Sequence, residues 1–446
     1  MNTTTLDSTL DSDLRHGAAA ELDLSRMVEA ERVHRRVYVD PDVFELEMDR
    51  IFGRSWIYVG HESQVPQPGD YVTTQVGRQP VVMTRHTDGT IHVLENRCPH
   101  KGAIVCPERS GHTKRLVCMY HGWSFEADGS LASVPVRSGY DNTNFDPSNP
   151  TNGMKRLPRV ENYRGFVFAS LAADGPDLRT WAGEGMRGFD SVVDRAPEGK
   201  IEVIGNCFRT VQNSNWKIFI DNMSDGMHTS FVHYQTARAA KRTLEKFKIE
   251  HPGGLQVATL LAGEPDQMAK TDLVAHPNGH FDMAAFAPEP KGPDAEKYKA
   301  KMIAKHGEAG AQAILGQNFH NALLFPTALM QPSLQQLRVI RPLAVDKTLL
   351  EIWVFRLKGA PDSFTSRAIT AANIGNSPSN LVAADDFEAY YRVHAGLKGP
   401  ESSWVHLSRE ANRDIPIGSS LQGSSGNSEV CMRNMYQAWG QYMSVR

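Results

Sequence analysis

The sequence predicts an α+β protein in two parts: a compact all-β module near the front, then a larger domain of strands and helices. Three observations lead there. First, Asp88-Gly89 stands between "PVVMTRH" and "IHVLEN", and Asp128-Gly129 between "GWSFEA" and "LASVPV". Asp-Gly between short apolar runs is the pattern of a tight hairpin. Second, beyond the first module, strand-like and helix-like stretches follow one another without the strict alternation of a βαβ chain. Third, 446 residues suffice for two domains of ordinary size.

The elements follow in order. "MNTTTLDSTLDSDLRHGAAAELDL" lacks a basic start and an apolar stretch, so it reads as a partly disordered tail and not a secretory signal. In residues 40 to 60, Asp40 caps a short helix begun by Pro41. Phe44, Met48, Ile51 and Phe52 recur there at helical spacing, and a strand follows. Residues 69 to 135 have β texture; residues 140 to 157, rich in Asn, Pro, Asp and Gly, read as a loop. "GFVFASL" reads as a buried strand and 176–195 as a helix. Strands are expected at 201–211, 255–261, 337–344 and 348–357. Helices are expected at 214–240, 293–316, 364–375, 380–395 and in "SEVCMRNMYQAWGQYM". Residues 276 to 293 read as mobile.

Composition sets limits. Hydrophobic residues at 40% and charged residues at 22% describe a globular chain. A net charge of −3 gives no electrostatic reason to expect nucleic acid or an anionic membrane. No run of about 18 apolar residues occurs, so no spanning helix is expected. Five cysteines in so long a chain do not form a disulfide framework, and a cytoplasmic location is the expectation.

The first chemical constellation is "CPHKGAIVCPERSGHTKRLVCMYHGW", residues 98 to 123. Cys98 and His100 form one pair, Cys118 and His121 a second, with seventeen residues between His100 and Cys118. Structural zinc sites usually send like ligands together, Cys with Cys and His with His. Here each loop carries one of each. That order suits a [2Fe–2S] cluster with one iron on both thiolates and the other on both imidazoles. Neutral imidazoles raise the reduction potential, giving a one-electron relay. Zinc is the alternative. Cys106 reads as a buried thiol. Lys101, Arg109, Lys114 and Arg115 read as a solvated surface, with docking of an acidic electron donor as the alternative.

The second constellation is "NWKIFIDNMSDGMHTSFVH", residues 215 to 233, with Asp221, Asp225, His228 and His233 on an expected helix. Asp225 and His228 share a face. His228 and His233, five apart, lie about 140° apart on an ideal helix. A shared metal therefore requires the helix to bend or end between them, and Gly226, Thr229 and Val232 weaken it there. Far along the chain, "LVAADDFEAYY" sets Asp385 and Asp386 in an apolar helix. Two His and one carboxylate form the facial triad of non-haem Fe(II) oxygenases. Solvated acids and ordinary histidines are the other reading. The chain has no His-Glu-x-x-His, Gly-x-Gly-x-x-Gly or P-loop, so a zinc protease is unsupported and electrons must come from another protein.

Together these motifs resemble the large (α) subunit of the Rieske non-haem iron aromatic-ring-hydroxylating oxygenases, over nearly the whole chain. "CPH", "CMYH" and the following "GW" resemble the Rieske signature. "NWK", "DN", Asp225, His228 and His233 resemble the iron-site helix, and "DDFE" the carboxylate segment, which implies Asp386 as the ligand. Asp221 stands where the family often has Glu, and Lys101 where it often has Arg. The resemblance implies a tail and helix over 1–44 belonging to the catalytic domain, a Rieske domain over 45–165, and over 166–446 a helix-grip catalytic domain, an antiparallel sheet covered by helices. It implies an α3 or α3β3 oligomer with a small β subunit. It implies a mononuclear Fe(II), and electrons from NAD(P)H through a ferredoxin or reductase. Asp225 would bridge a cluster His to an iron-ligand His between neighbouring subunits, and Asn222 would lie near the iron as a distant or absent ligand. The implied reaction is O2-dependent cis-dihydroxylation or monohydroxylation of an aromatic ring. Phe219, Met223, Leu324 and Phe325 mixed with Asn321, Gln331 and Asn376 favour a monocyclic ring with a polar group, such as a benzoate, salicylate or aniline. A polycyclic or biaryl hydrocarbon is the alternative substrate. A Rieske electron carrier without catalysis is the non-enzyme alternative.

Overall fold

A computed structural model describes residues 23–248, 265–284, 291–317, 319–378, 382–399 and 403–444. The chain forms two compact units. One is Phe52–Thr180 with Lys200–Ile204; the other comprises the described residues of Met1–Ile51 with Trp181–Gly199 and Gly205–Arg446.

The first unit is mostly β. Strands Asp70–Val76, Gln79–Arg85 and Ile91–Glu95 form an antiparallel meander joined at one edge by Ser110–His112. A second small sheet holds Leu116–Val117, Ser124–Phe125 and Leu131–Ser133. Both expected Asp-Gly hairpins are present, with Gly89 and Gly129 at φ 86° and 90°, where glycine is unstrained. Val82, Leu94, Trp123 and Phe125 close a core that also contains Cys98 and Cys118.

The second unit is built on a nine-stranded sheet. From one edge its strands are Ile201–Gln212, Lys347–Leu357, Gln336–Ala344, Ala328–Gln331 and Phe319–Leu324. Phe281–Ala284, Asp272–Ala275, Ser420–Gln422 and Ile415–Ile417 complete it. From Lys347–Leu357 to the far edge every pairing is antiparallel. Alternation along the strands divides the side chains between two faces. Ala322 and Met330 meet the helix Arg187–Asp194; a Cβ on its Gly188 would come within 2.4 Å of Ala322 Cβ. The other face carries Met283, Asn321, Gln331, Gln336 and Arg338. Onto it the helix Trp216–Met223 is laid, since Asn321 donates to the Met223 carbonyl at 2.7 Å.

That helix is anchored by a buried ion pair. Glu47, on the Asp40-capped helix Pro41–Arg50, accepts from Lys217 Nζ at 2.5 Å, Trp216 Nε1 at 2.8 Å and Trp439 Nε1 at 2.6 Å. Glu47 and Lys217 are wholly buried, and burial lowers the lysine pKa. Three donors on one carboxylate offset the desolvation of the pair.

Several expectations change. The helix over 176–195 is two helices, Leu178–Ala182 and Arg187–Asp194, joined by a 3₁₀ turn around Gly183 at φ 49°. Residues 276 to 284 are ordered into regular structure. They form a turn and the strand Phe281–Ala284, with Phe281 buried and His276 bonded to Asp282 at 3.0 Å. Their His, Asn, Pro and Gly content concealed a short strand among buried neighbours. The expected strand at 255–261 lies outside the described residues. No helix of the described residues is long and apolar enough to cross a membrane.

Candidate metal centres

In the β unit the two Cys/His loops share one backbone frame. Cys98 N–H donates to the Ala103 carbonyl and Gly102 N–H to the Cys98 carbonyl, at 2.8 and 2.9 Å. Cys118 N–H donates to Trp123 and Gly122 N–H to Cys118 at the same distances. Gly102 and Gly122, each four residues past the cysteine, have φ of 79° and 69°. The longer spacing to His121 is thus absorbed inside an unchanged loop. Cys98 and Cys118 are buried, whereas His100 is half-buried and His121 exposed, their ring centroids 4.6 Å apart. Trp123 stacks on His100 at 5.0 Å with planes 4° apart, and Phe145 packs edge-on against Trp123.

This donor set fits the cluster. Burial raises the Cys98 thiol pKa; the N–H groups of His100 and Lys101 point at the sulfur and lower it, and the Cys118 thiol lies within hydrogen-bond reach. Thiols pair inside and imidazoles pair outside, as a two-iron group requires. A single zinc would gather all four around one point. Among the described residues the group of three or more such side chains gathered around one point is a different one. Cys106 is a buried thiol pushed up to about 12 by burial, its backbone amide held by Asn96. Lys101, Arg109, Lys114 and Arg115 are exposed, and Arg115 is paired with Glu126 at 2.9 Å.

The gathered group is His228, His233 and Asp386, one ligand atom of each lying within 4.8 Å of the others. The expected helix 214–240 breaks as a shared metal requires. Trp216–Met223 ends at Ser224, the single turn Thr229–Val232 lies between the two histidines, and Tyr234–Phe247 starts after His233. A Cβ on Gly226 would lie 2.8 Å from the Gly426 carbonyl, so this break takes glycine because the backbones approach closely. His233 Nε2 is 3.3 Å and His228 Nε2 3.8 Å from Asp386 Oδ1. Burial lowers the His228 pKa. At His233, burial is outweighed by Asp386 and then Asp385, and the pKa is raised.

Neighbouring groups orient these three. Asn222 Nδ2 donates to Asp386 Oδ1 at 3.3 Å, and Tyr390 donates its hydroxyl to Asn222 Oδ1 at 2.9 Å. Asp385 stands 3.4 Å from His233 Nδ1 and accepts from Thr236 at 2.8 Å, a carboxylate behind the imidazole. The adjacent acids thus face different partners. Asp225 Oδ2 is 3.8 Å from His228 Nδ1, too long for a hydrogen bond. Its Oδ1 accepts instead from Arg409 Nη2 at 3.0 Å and the Met227 amide at 2.9 Å.

Arg409, His320 and Arg338 escaped the sequence reading. His320 is the extra residue of a bulge, since Met283 pairs with Asn321 and Ala284 with Phe319. The bulge redirects its side chain from strict alternation. Burial, Arg338 and His228 lower its pKa to about 4. None of the three carries a local motif; charged residues in a strand or loop are the one signal available.

Comparison with known proteins matches each part of the chain to a family. Residues 55–147 match the Rieske [2Fe-2S] domain family, and residues 199–445 match the ring hydroxylating alpha subunit (catalytic domain) family. The chain is 32% identical to the toluate 1,2-dioxygenase alpha subunit of Pseudomonas putida, across 92% of this chain and 91% of that protein. It is 29% identical to the anthranilate 1,2-dioxygenase large subunit of Acinetobacter baylyi, across 92% and 88%. In fold it is similar to naphthalene 1,2-dioxygenase with indole bound, TM-score 0.80 at 21% identity over 94% of each chain.

Proposed function

The chain belongs to the ring-hydroxylating dioxygenase family as a large (α) subunit, and from this premise we propose that it hydroxylates a single-ring aromatic bearing a polar substituent. The two matched domains imply a Rieske cluster and a mononuclear iron. In this reading Cys98, Cys118, His100 and His121 hold the cluster, and His228, His233 and Asp386 hold the iron. The observation that carries it is the gathering of His228, His233 and Asp386 from segments about 150 residues apart, with a carboxylate or amide behind two of them.

When bound, the cluster supplies single electrons and the iron the activation of O2. The chain's residues position and shield. Tyr390 and Asn222 hold the Asp386 carboxylate, and Asp385 keeps the proton on His233 Nδ1, leaving Nε2 free as a ligand atom. Burial of His233 and Asp386 keeps bulk water off the reacting ring. A ferredoxin or reductase delivers electrons from NAD(P)H. The subunit works as an α3 or α3β3 oligomer in which Asp225 connects the two centres across a subunit boundary. Toluate and anthranilate, in the names of the two relatives, are single rings with polar groups.

The test is product analysis under ¹⁸O2 with the reduced, reconstituted system and a panel of substituted benzenes and fused-ring hydrocarbons. A cis-dihydrodiol or phenol carrying the label from a single-ring polar substrate is the expected result. Labelled products from hydrocarbons alone contradict the substrate reading, and no labelled product from any compound contradicts the oxygenase reading.

A further inference from the structure

Beside the His228, His233 and Asp386 group stands a half-buried cation that is weakly compensated. Arg338 shares its sheet face with Gln331, Gln336 and Asn321. It donates from Nη1 to the Met223 thioether sulfur at 3.0 Å. A thioether is a weak acceptor and returns little to a guanidinium with five donors. Its Nε is sealed from solvent and has no partner. Burial lowers its pKa, while the charges of Tyr390 and Asp386 raise it. The nearby Gln336 accepts from Asn376 at 3.1 Å, but its own Nε2 is buried without a partner.

Arg338 also keeps accessible surface although protein surrounds it, as does His320 next to it. A group so enclosed yet accessible faces a recess in the protein and not its outer surface. The surface of the recess therefore offers a positive charge within electrostatic reach of Asp386. A buried cation is unfavourable unless an anion and hydrogen bonds compensate it. A neutral hydrocarbon entering here would desolvate Arg338 further and compensate nothing. An aromatic amine would present donors to donors. A carboxylate matches in charge, in acceptors and in the planar fork of the guanidinium.

We propose that Arg338 binds a carboxylate on the aromatic substrate, so that the substrate class is ring carboxylates. This rests on reading His228, His233 and Asp386 as the oxygenase iron site, and it excludes anilines and unsubstituted hydrocarbons as preferred substrates. Arg338 is a specificity residue and not an iron ligand.

The experiment is equilibrium binding to the purified holoenzyme without O2 or reductant, by calorimetry. Benzoate and its 2-, 3- and 4-methyl and amino derivatives are compared with the matching benzamides, aniline and toluene. The expected result is a preference of about 10- to 100-fold for at least one carboxylate over its amide. Arg338→Gln removes that preference, and Arg338→Lys restores part of it. Iron and sulfide contents stay at wild-type values in both variants. Equal affinity for acid and amide in the wild type overturns the proposal without recourse to any variant. So does unchanged carboxylate preference in Arg338→Gln. Labelled product from neutral rings with no carboxylate binding refutes the carboxylate site and leaves the oxygenase reading standing. Selective carboxylate binding with no labelled product from any compound does the reverse.

Discussion

Asp385 and Asp386 are consecutive in sequence, yet one lies behind His233 and the other faces both histidines. Helical geometry separates their side chains by about 100°, enough to give neighbours different tasks. Asp225 is held differently. It is tied to Arg409 and the Met227 amide and makes no hydrogen bond to His228, so it is positioned without being part of the triad. Replacing Asp225 by Ala should therefore leave iron and sulfide contents intact and lower turnover by about 100-fold or more, the size typical of losing a group placed for transfer. Iron, sulfide and turnover measured on one preparation check this; unchanged turnover contradicts the bridging role. At this scale the cysteines and histidines were legible because short fixed spacings carry ligand chemistry. Arg338, Arg409 and His320 were not, because their meaning comes from residues a hundred or more positions away, such as Met223 and Asp225.

The elements around the site are joined by acids that the periodicity could not rank. Asp221, in the Trp216–Met223 helix, accepts from Tyr38 at 2.9 Å, and Tyr436 of the C-terminal helix lies 2.9 Å from the same oxygen. Burial raises its pKa from 3.8 to about 7, against the lowering effect of Tyr38, Tyr436 and Lys217. The folded chain therefore retains, between about pH 4 and pH 7, a proton that the unfolded chain releases. The stability this residue contributes is full below about pH 4 and is lost as the pH rises through about 7, by up to roughly 4 kcal/mol. Asp221→Asn cannot ionise. Its melting temperature relative to wild type should rise by several degrees between pH 5 and pH 8; an offset that stays constant across that range contradicts the assignment. The helices Asp362–Asn376 and Ala383–Leu397 and the C-terminal helix were legible from their periodicity, as was the need for a break between His228 and His233. The strands Phe319–Leu324 and Ala328–Gln331 were not. "ALLFPTALM" reads as one apolar run broken by Pro326, and buried strands lose the alternation that identifies a half-exposed one.

On the scale of the whole molecule, a β unit presents paired thiols and paired imidazoles, and an α+β unit gathers two histidines and a carboxylate from helical segments. The order of these units along the chain was legible, because each carries its own motif and its own texture of turns. Their chemistry requires different inorganic groups: one needs sulfide and two irons, the other a single iron. Quantifying iron, zinc and acid-labile sulfide per chain in freshly purified, folded protein kept under argon tests that division most directly. About three irons and about two sulfides, with negligible zinc, are predicted. Stoichiometric zinc with negligible sulfide would contradict it.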